Sequence, residues 1–263
     1  MFKYLYGPVF SWRLGISLGI DLISTKEKVC NFDCSYCQIG KTFELTDKRQ
    51  IFVATDEIIK EIKGLDKNIK LDFLTFSGRG EPTLALNLGA VIEELRKIRT
   101  EKIAVITNST NFYIDEVREN LKKVDVVMAK FDAWNDELLQ NINKPIDNKT
   151  ICFDKIYNGL KKFRQEFDGI LELQIMFTDE NKNDYKTAFE LIKNIRPDRI
   201  QINTPLRPCD INPLDKAKIA EIKRDFEEFF TRYGIYVVGV YDVEKKDIKS
   251  LDIKNTELRR GKV

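Results

Sequence analysis

Histidine is absent from the 263-residue sequence. That excludes Ser-His-Asp and Cys-His catalytic arrangements, and it removes the imidazole ligands on which most zinc, copper and non-haem iron sites rely. Acid–base chemistry therefore falls to carboxylates, lysine, tyrosine, cysteine or water. No run of about 18 apolar residues appears, so no membrane span is expected. Residues 1–8 lack the apolar run and small-residue cleavage site of a secretory signal, and the expected compartment is the reducing cytoplasm. An excess of one charge is also missing: 44 Lys and Arg face 42 Asp and Glu. A net charge of +2 gives no overall basic character with which to bind nucleic acid. Cysteine is scarce; five unevenly spaced residues do not make a disulfide framework.

What is present reads as a globular α/β chain. Residues 14–23 place Ile16, Leu18, Ile20 and Leu22 on one face of a strand. Strands are then expected over 71–76, 103–106, 124–129, 170–177, 199–203 and 235–240. Helical spacing lies between them, over 55–65, 88–99, 113–121, 153–167, 185–194 and 214–233. Such alternation implies βαβ units and a parallel sheet with right-handed crossovers. The pattern leaves a barrel and an open doubly wound sheet as alternatives. Phe226, Phe229 and Phe230 recur at helical spacing and read as core. Residues 1–243 read as one domain, and 244–263 as a charged, solvated tail.

The strongest local signal is Cys30-Asn31-Phe32-Asp33-Cys34-Ser35-Tyr36-Cys37, on the loop after the first strand. Thiolates are the usual ligands of iron–sulfur clusters and of structural zinc. Zinc would need a fourth ligand, and only Cys152 and Cys209 remain, far along the chain. A four-iron cubane held by three thiolates instead leaves one iron open to a molecule bearing an amine and a carboxylate. Clusters reach reduction potentials of about −700 mV, low enough for demanding one-electron chemistry.

Cys-x3-Cys-x2-Cys with Tyr36 before the last cysteine resembles the radical S-adenosylmethionine (SAM) signature. Ser77-Gly78-Arg79-Gly80-Glu81-Pro82-Thr83 resembles that family's Gly-Gly-Glu-Pro motif, with Arg79 in place of the first glycine. Residues 6–21, together with 203–208, resemble a radical SAM group placed near the tRNA wyosine synthases; Trp12 stands where that group more often has Arg. The resemblance implies a partial TIM-like (β/α)6 barrel with parallel strands and a C-terminal helix/strand extension. It implies a 4Fe-4S cluster on Cys30, Cys34 and Cys37, and reductive cleavage of SAM to a 5′-deoxyadenosyl radical that abstracts hydrogen from a substrate. An external one-electron donor such as flavodoxin or ferredoxin would be required.

Further candidates lie at the C-terminal ends of strands, where barrels build their sites. Tyr36, Gly78, Gly80, Glu81, Asn108, Lys130, Asp132 and Asn203 are the expected cofactor-binding residues. Ordinary capping or turn bonding is the competing role for Asn108, Lys130, Asp132 and Asn203. Cys209 is a candidate hydrogen donor or substrate-side ligand, weighed against an inert loop thiol. The substrate class stays open among an RNA base, a protein and a small molecule. A glycyl-radical-type activating enzyme and a noncatalytic iron–sulfur electron carrier are the competing functions.

Overall fold

Side chains divide by period two along the expected strands, and the computed structural model shows where each half goes. It describes residues 2–66, 68–147, 149–242 and 248–260. One eight-stranded sheet runs in the order β1 (Leu5–Ser11), β2 (Gly15–Ile20), β3 (Phe73–Phe76), β4 (Lys102–Thr107), β5 (Val126–Lys130), β6 (Ile170–Met176), β7 (Arg199–Asn203) and β8 (Tyr236–Gly239). β1 and β2 are antiparallel. Every later pair is parallel.

Leu74, Phe76, Val105, Val127, Leu173 and Ile202 point from one face into the main core. Six helices bury their apolar stripes in that same cluster: α1 (Thr55–Lys63), α2 (Leu88–Ile98), α3 (Asp115–Leu121), α4 (Phe153–Glu166), α5 (Phe189–Ile195) and α6 (Lys216–Phe230). Helices on one face only make a singly wound, barrel-like sheet rather than a doubly wound one. Among the described residues β1 and β8 do not pair, so the barrel is open. The other face is mixed: Ser17 bonds Thr75 at 2.7 Å and the side-chain amides of Gln174 and Gln201 lie 2.8 Å apart, while Ala104, Val126 and Met128 form a small apolar cluster there. Phe226 and Phe230 are fully buried, with rings 4.8 and 5.2 Å from that of Phe189, as their spacing predicts.

Two features differ from the sequence reading. β1 has no clear signal in the sequence, because Gly7-Pro8 interrupts its pattern; the pairing with β2 shifts register between Tyr6 and Val9. The expected C-terminal helix/strand extension is present: α6 leads into β8, which adds to β7 in parallel as a further strand of the sheet. Part of the charged tail folds back as α7 (Ile253–Arg260), whereas residues 244–247 and 261–263 lie outside the described residues. Asn255 Nδ2 donates to the Phe2 and Leu5 carbonyls at 3.1 and 2.9 Å, and Arg259 Nε lies 2.9 Å from the buried Asp21 carboxylate. A buried carboxylate demands a counter-charge, and this arginine supplies it.

Candidate functional site

The cysteine loop leaves the C-terminal end of β2 and is pinned on both sides. Val29–Cys30 forms a short parallel ladder with Glu44–Leu45. Val29 N donates to Arg79 O at 3.2 Å, and Val29 bridges Gly80. A Cβ on Gly80 would lie 1.7 Å from Val29 O, so only glycine lets the two backbones meet. Gly78 makes comparable room for the Asp21 carboxylate, 2.2 Å from its notional Cβ. On the other side, Asp33 N and Ser35 N donate to Asn143 O and Ile142 O at 3.1 and 2.9 Å. Arg79 turns back to donate to Thr25 O at 2.9 Å, so its side chain ties down the start of the loop.

Each sulfur has its own polar partner. Asn108 Nδ2 lies 3.7 Å from Cys30 Sγ, and Asn143 Nδ2 lies 3.5 Å from Cys34 Sγ. Lys28, itself buried, lies in the field of Cys37 and donates to Gly40 O at 2.9 Å. Burial first, and the Cys34 sulfur second, push the Cys30 thiol up to about 12. Burial and Cys37 do the same to Cys34. Burial opposes the Lys28 ammonium, but the cysteine sulfurs, Cys37 foremost, outweigh it and raise that group. Cys34 lies in the field of both Cys30 and Cys37. Three thiols on one short loop, with amide N–H groups at two of the sulfurs, suit a cluster ligated at three of its irons.

Beside the sulfurs, Tyr36 OH donates to Asp132 Oδ2. Asn143 Nδ2 lies 3.3 Å from that hydroxyl and 3.2 Å from the same carboxylate oxygen. Lys130 Nζ lies 3.0 Å from Asp132 Oδ1 and sits over the Tyr36 ring, 4.8 Å from its centroid. Burial, then the Asp132 charge, hold the Tyr36 hydroxyl well above its ordinary value. β5 and the loop after it therefore bring Lys130 and Asp132 directly to the cysteine loop.

Glu81 stands apart from this group. Its buried carboxylate accepts from Thr83 N (3.0 Å), Thr83 Oγ1 (2.6 Å), Thr107 Oγ1 (2.7 Å) and Asn108 N (2.6 Å). It joins the turn after β3 to the end of β4, and so positions Asn108. Asn108 Nδ2 also donates to Asn31 Oδ1 at 2.6 Å.

Asn203 ends β7, and its side-chain oxygen accepts from Thr204 N at 2.9 Å, a bond within its own turn. Cys209 Sγ lies 3.2 Å from Ile211 O. Ile211 packs on the cluster of Tyr36, Ile142 and Met176, which brings the Cys209 loop to the edge of the site. Cys152 is the N-cap of α4 and has no such link. Lys28 and Asn143 carry no motif that singles them out in the sequence. Lys28 precedes the triplet by two residues; Asn143 lies 109 residues beyond its sulfur partner, in a short π-helical segment, Leu139–Asn143.

A cleft of about 660 Å³ is elsewhere. It lies at the starts of β6, β7 and β8, lined by Lys193, Arg196, Tyr233 and Tyr236, and contains none of the candidates. A much smaller cavity is walled by Asn108, Lys130, Asp132 and Asn143.

Known proteins resemble this chain in sequence and in fold. The family model described as the radical SAM superfamily matches residues 28–192, which hold the cysteine loop and strands β3 to β6. The UPF0026 protein slr1464 of Synechocystis sp. is 41% identical over 214 residues, covering 79% of this chain and 77% of that protein. Among solved structures, native anSMEcpe with bound AdoMet superposes with a TM-score of 0.62 at 18% identity, over 86% of this chain and 64% of that one. TYW1 with a lysine–pyruvate adduct bound gives 0.57 at 14% identity, over 81% and 73%. These structures share the open, mostly parallel barrel. By its family match and its UPF0026 relatives, the chain belongs to the radical SAM superfamily.

Proposed function

We propose that Cys30, Cys34 and Cys37 hold a 4Fe-4S cluster through three of its irons, and that the chain uses it with SAM to abstract hydrogen from a substrate. One observation carries this reading: three cysteines on the loop after β2, with amide N–H groups at two of the sulfurs and the Lys28 ammonium in the field of the third. When bound, the cluster supplies the electron that splits SAM into methionine and a 5′-deoxyadenosyl radical.

The chain's own residues prepare that site. Asn108 and Asn143 present N–H groups to two sulfurs, and Lys28 offsets negative charge at the third. Donors to sulfur stabilise its anionic form and tune the potential. The turn from Gly78 to Pro82 presents backbone to the amino group of SAM, and Glu81 fixes that turn against Asn108. Tyr36, with Lys130 over its ring and Asp132 on its hydroxyl, forms a rigid wall next to the sulfurs. Asn203 lies at the rim of the same end of the sheet, and Cys209 stands on the loop that touches Ile211. An RNA base is the favoured substrate, supported by the wyosine-synthase resemblance of residues 6–21 and 203–208. Electrons come from a flavodoxin- or ferredoxin-type donor.

Anaerobic reconstitution tests the reading. About four irons per chain and SAM-dependent release of 5′-deoxyadenosine under strong reduction are expected. Cys30→Ala, Cys34→Ala and Cys37→Ala should each lose the cluster, and Cys152→Ala should keep it. One zinc per chain without cluster absorbance rejects it.

A further inference from the structure

Three arginines from distant parts of the sequence gather on the unclosed side of the barrel. Arg13 lies in the turn between β1 and β2, Arg207 in the loop after β7, and Arg260 at the end of α7. Arg207 Nη1 donates to Arg260 O at 2.8 Å. Arg13 rests on the Trp12 ring at 4.8 Å and reaches along the inner face of the sheet to Gln174. With the Gln174 amide oriented to satisfy its neighbours, its oxygen accepts from Arg13 Nε and Nη2 at 2.6 and 2.9 Å. That orientation turns the amide nitrogen toward Lys130 Nζ, 3.5 Å away, so no hydrogen bond joins the two. Arg13 and Gln174 nonetheless stand on the inner face beside Lys130, whose ammonium pairs with Asp132 at the wall of the cysteine loop.

Among the described residues none of the three guanidiniums has a carboxylate oxygen within 4.0 Å. Glu172 is in the field of Arg13, but its carboxylate already pairs with Arg199 at 2.9 Å. Burial, followed by the charge of Arg207, pushes Arg13 down to about 10; burial and Arg260 do the same to Arg207. Elsewhere this chain pairs its more deeply buried arginines: Arg259 with Asp21, and Arg118 with Asp115 and Glu166. Half-buried guanidiniums held near one another without a paired carboxylate repel, and a ligand of opposite charge relieves that. One carboxylate cannot balance three guanidiniums, whereas a phosphate offers up to two charges and three acceptor oxygens matched to their forks.

We propose that Arg13, Arg207 and Arg260 bind a phosphate group of the substrate, with Gln174 orienting Arg13. A phosphate held at this open edge leaves the rest of the molecule to extend along the inner face toward Lys130 and the cysteine loop. Phosphate binding stands on the arginines alone; that the bound molecule undergoes hydrogen abstraction rests on the radical SAM reading.

The reconstituted full chain is titrated with inorganic pyrophosphate, with acetate at equal ionic strength as the control. In parallel, arginines are labelled with phenylglyoxal and located by mass spectrometry. Saturable pyrophosphate binding is expected, with Arg13 and Arg207 protected from labelling in the unaltered protein. Arg13→Gln and Arg207→Gln should each weaken binding at least about tenfold, and Arg13→Lys should weaken it less. Nucleoside triphosphates binding more tightly than pyrophosphate would identify a nucleotide as the phosphate source, and an RNA oligonucleotide binding more tightly still would identify RNA. No preference over acetate, or equal labelling with and without pyrophosphate, overturns the site whether or not the variants fold. Failure of the radical reading is separate: it shows as absent iron or absent 5′-deoxyadenosine while protection of the arginines persists.

Discussion

Asn143 illustrates how much of this site rests on single side chains that carry no motif. Its amide nitrogen reaches Cys34 Sγ, the Tyr36 hydroxyl and Asp132 Oδ2 at once. Hydrogen bonds to cluster sulfurs raise the reduction potential by stabilising added negative charge. Asn143→Ala should therefore leave iron content near that of the parent and lower the cluster midpoint potential, read by anaerobic redox titration. A shift of about 59 mV corresponds to a tenfold change in the one-electron equilibrium. An unchanged potential would show that the amide serves only Tyr36 and Asp132. The cysteines were legible because their chemistry depends on short spacing. Lys28 and Asn143 were not, because an Asn or Lys acquires a sulfur partner only when the chain folds.

The cysteine loop and the turn after β3 behave as one element. From its motif, Gly80 is expected to bring backbone close to SAM. The fold makes an earlier demand on it, because Val29 O occupies the space where a Cβ would stand. Gly80→Val should therefore disturb the segment that carries Cys30, and lower iron uptake as well as SAM affinity. Iron per chain after reconstitution checks this; full iron with weakened SAM binding would restore the simpler role. The regular helices were legible to within a few residues because apolar stripes and end signals are local. Residues 113–121 and 185–194 read as single helices in the sequence, but each begins with a 3-10 turn, Thr110–Tyr113 and Tyr185–Ala188, before α3 and α5. Such turns satisfy helix-end backbone groups in ways the apolar period does not record.

Across the whole molecule, the two chain ends are joined. α7 packs on β1, and Arg259 meets Asp21, the residue for which Gly78 clears space. Arg259 Nη2 also donates to Lys3 O at 2.6 Å. Removing one partner of a buried pair strands the other charge, so Arg259→Ala should cost about 3–5 kcal/mol in urea unfolding. Asp21→Asn combined with Arg259→Ala should cost less than the two separate losses added together. Additive losses would show that the pair does not couple α7 to the end of β2.

The order of strands and helices, the buried stripes and the three spaced thiols follow from residue chemistry at short range, and those were readable before any fold was known. The choice of an open, singly wound barrel over a doubly wound sheet depended on α1 to α6 sharing one core, which no local period encodes. Partners for the sulfurs, the return of α7 and the meeting of Arg13, Arg207 and Arg260 are contacts between residues far apart in the chain. Burial and charge are properties of such contacts, so only the tertiary structure could decide them.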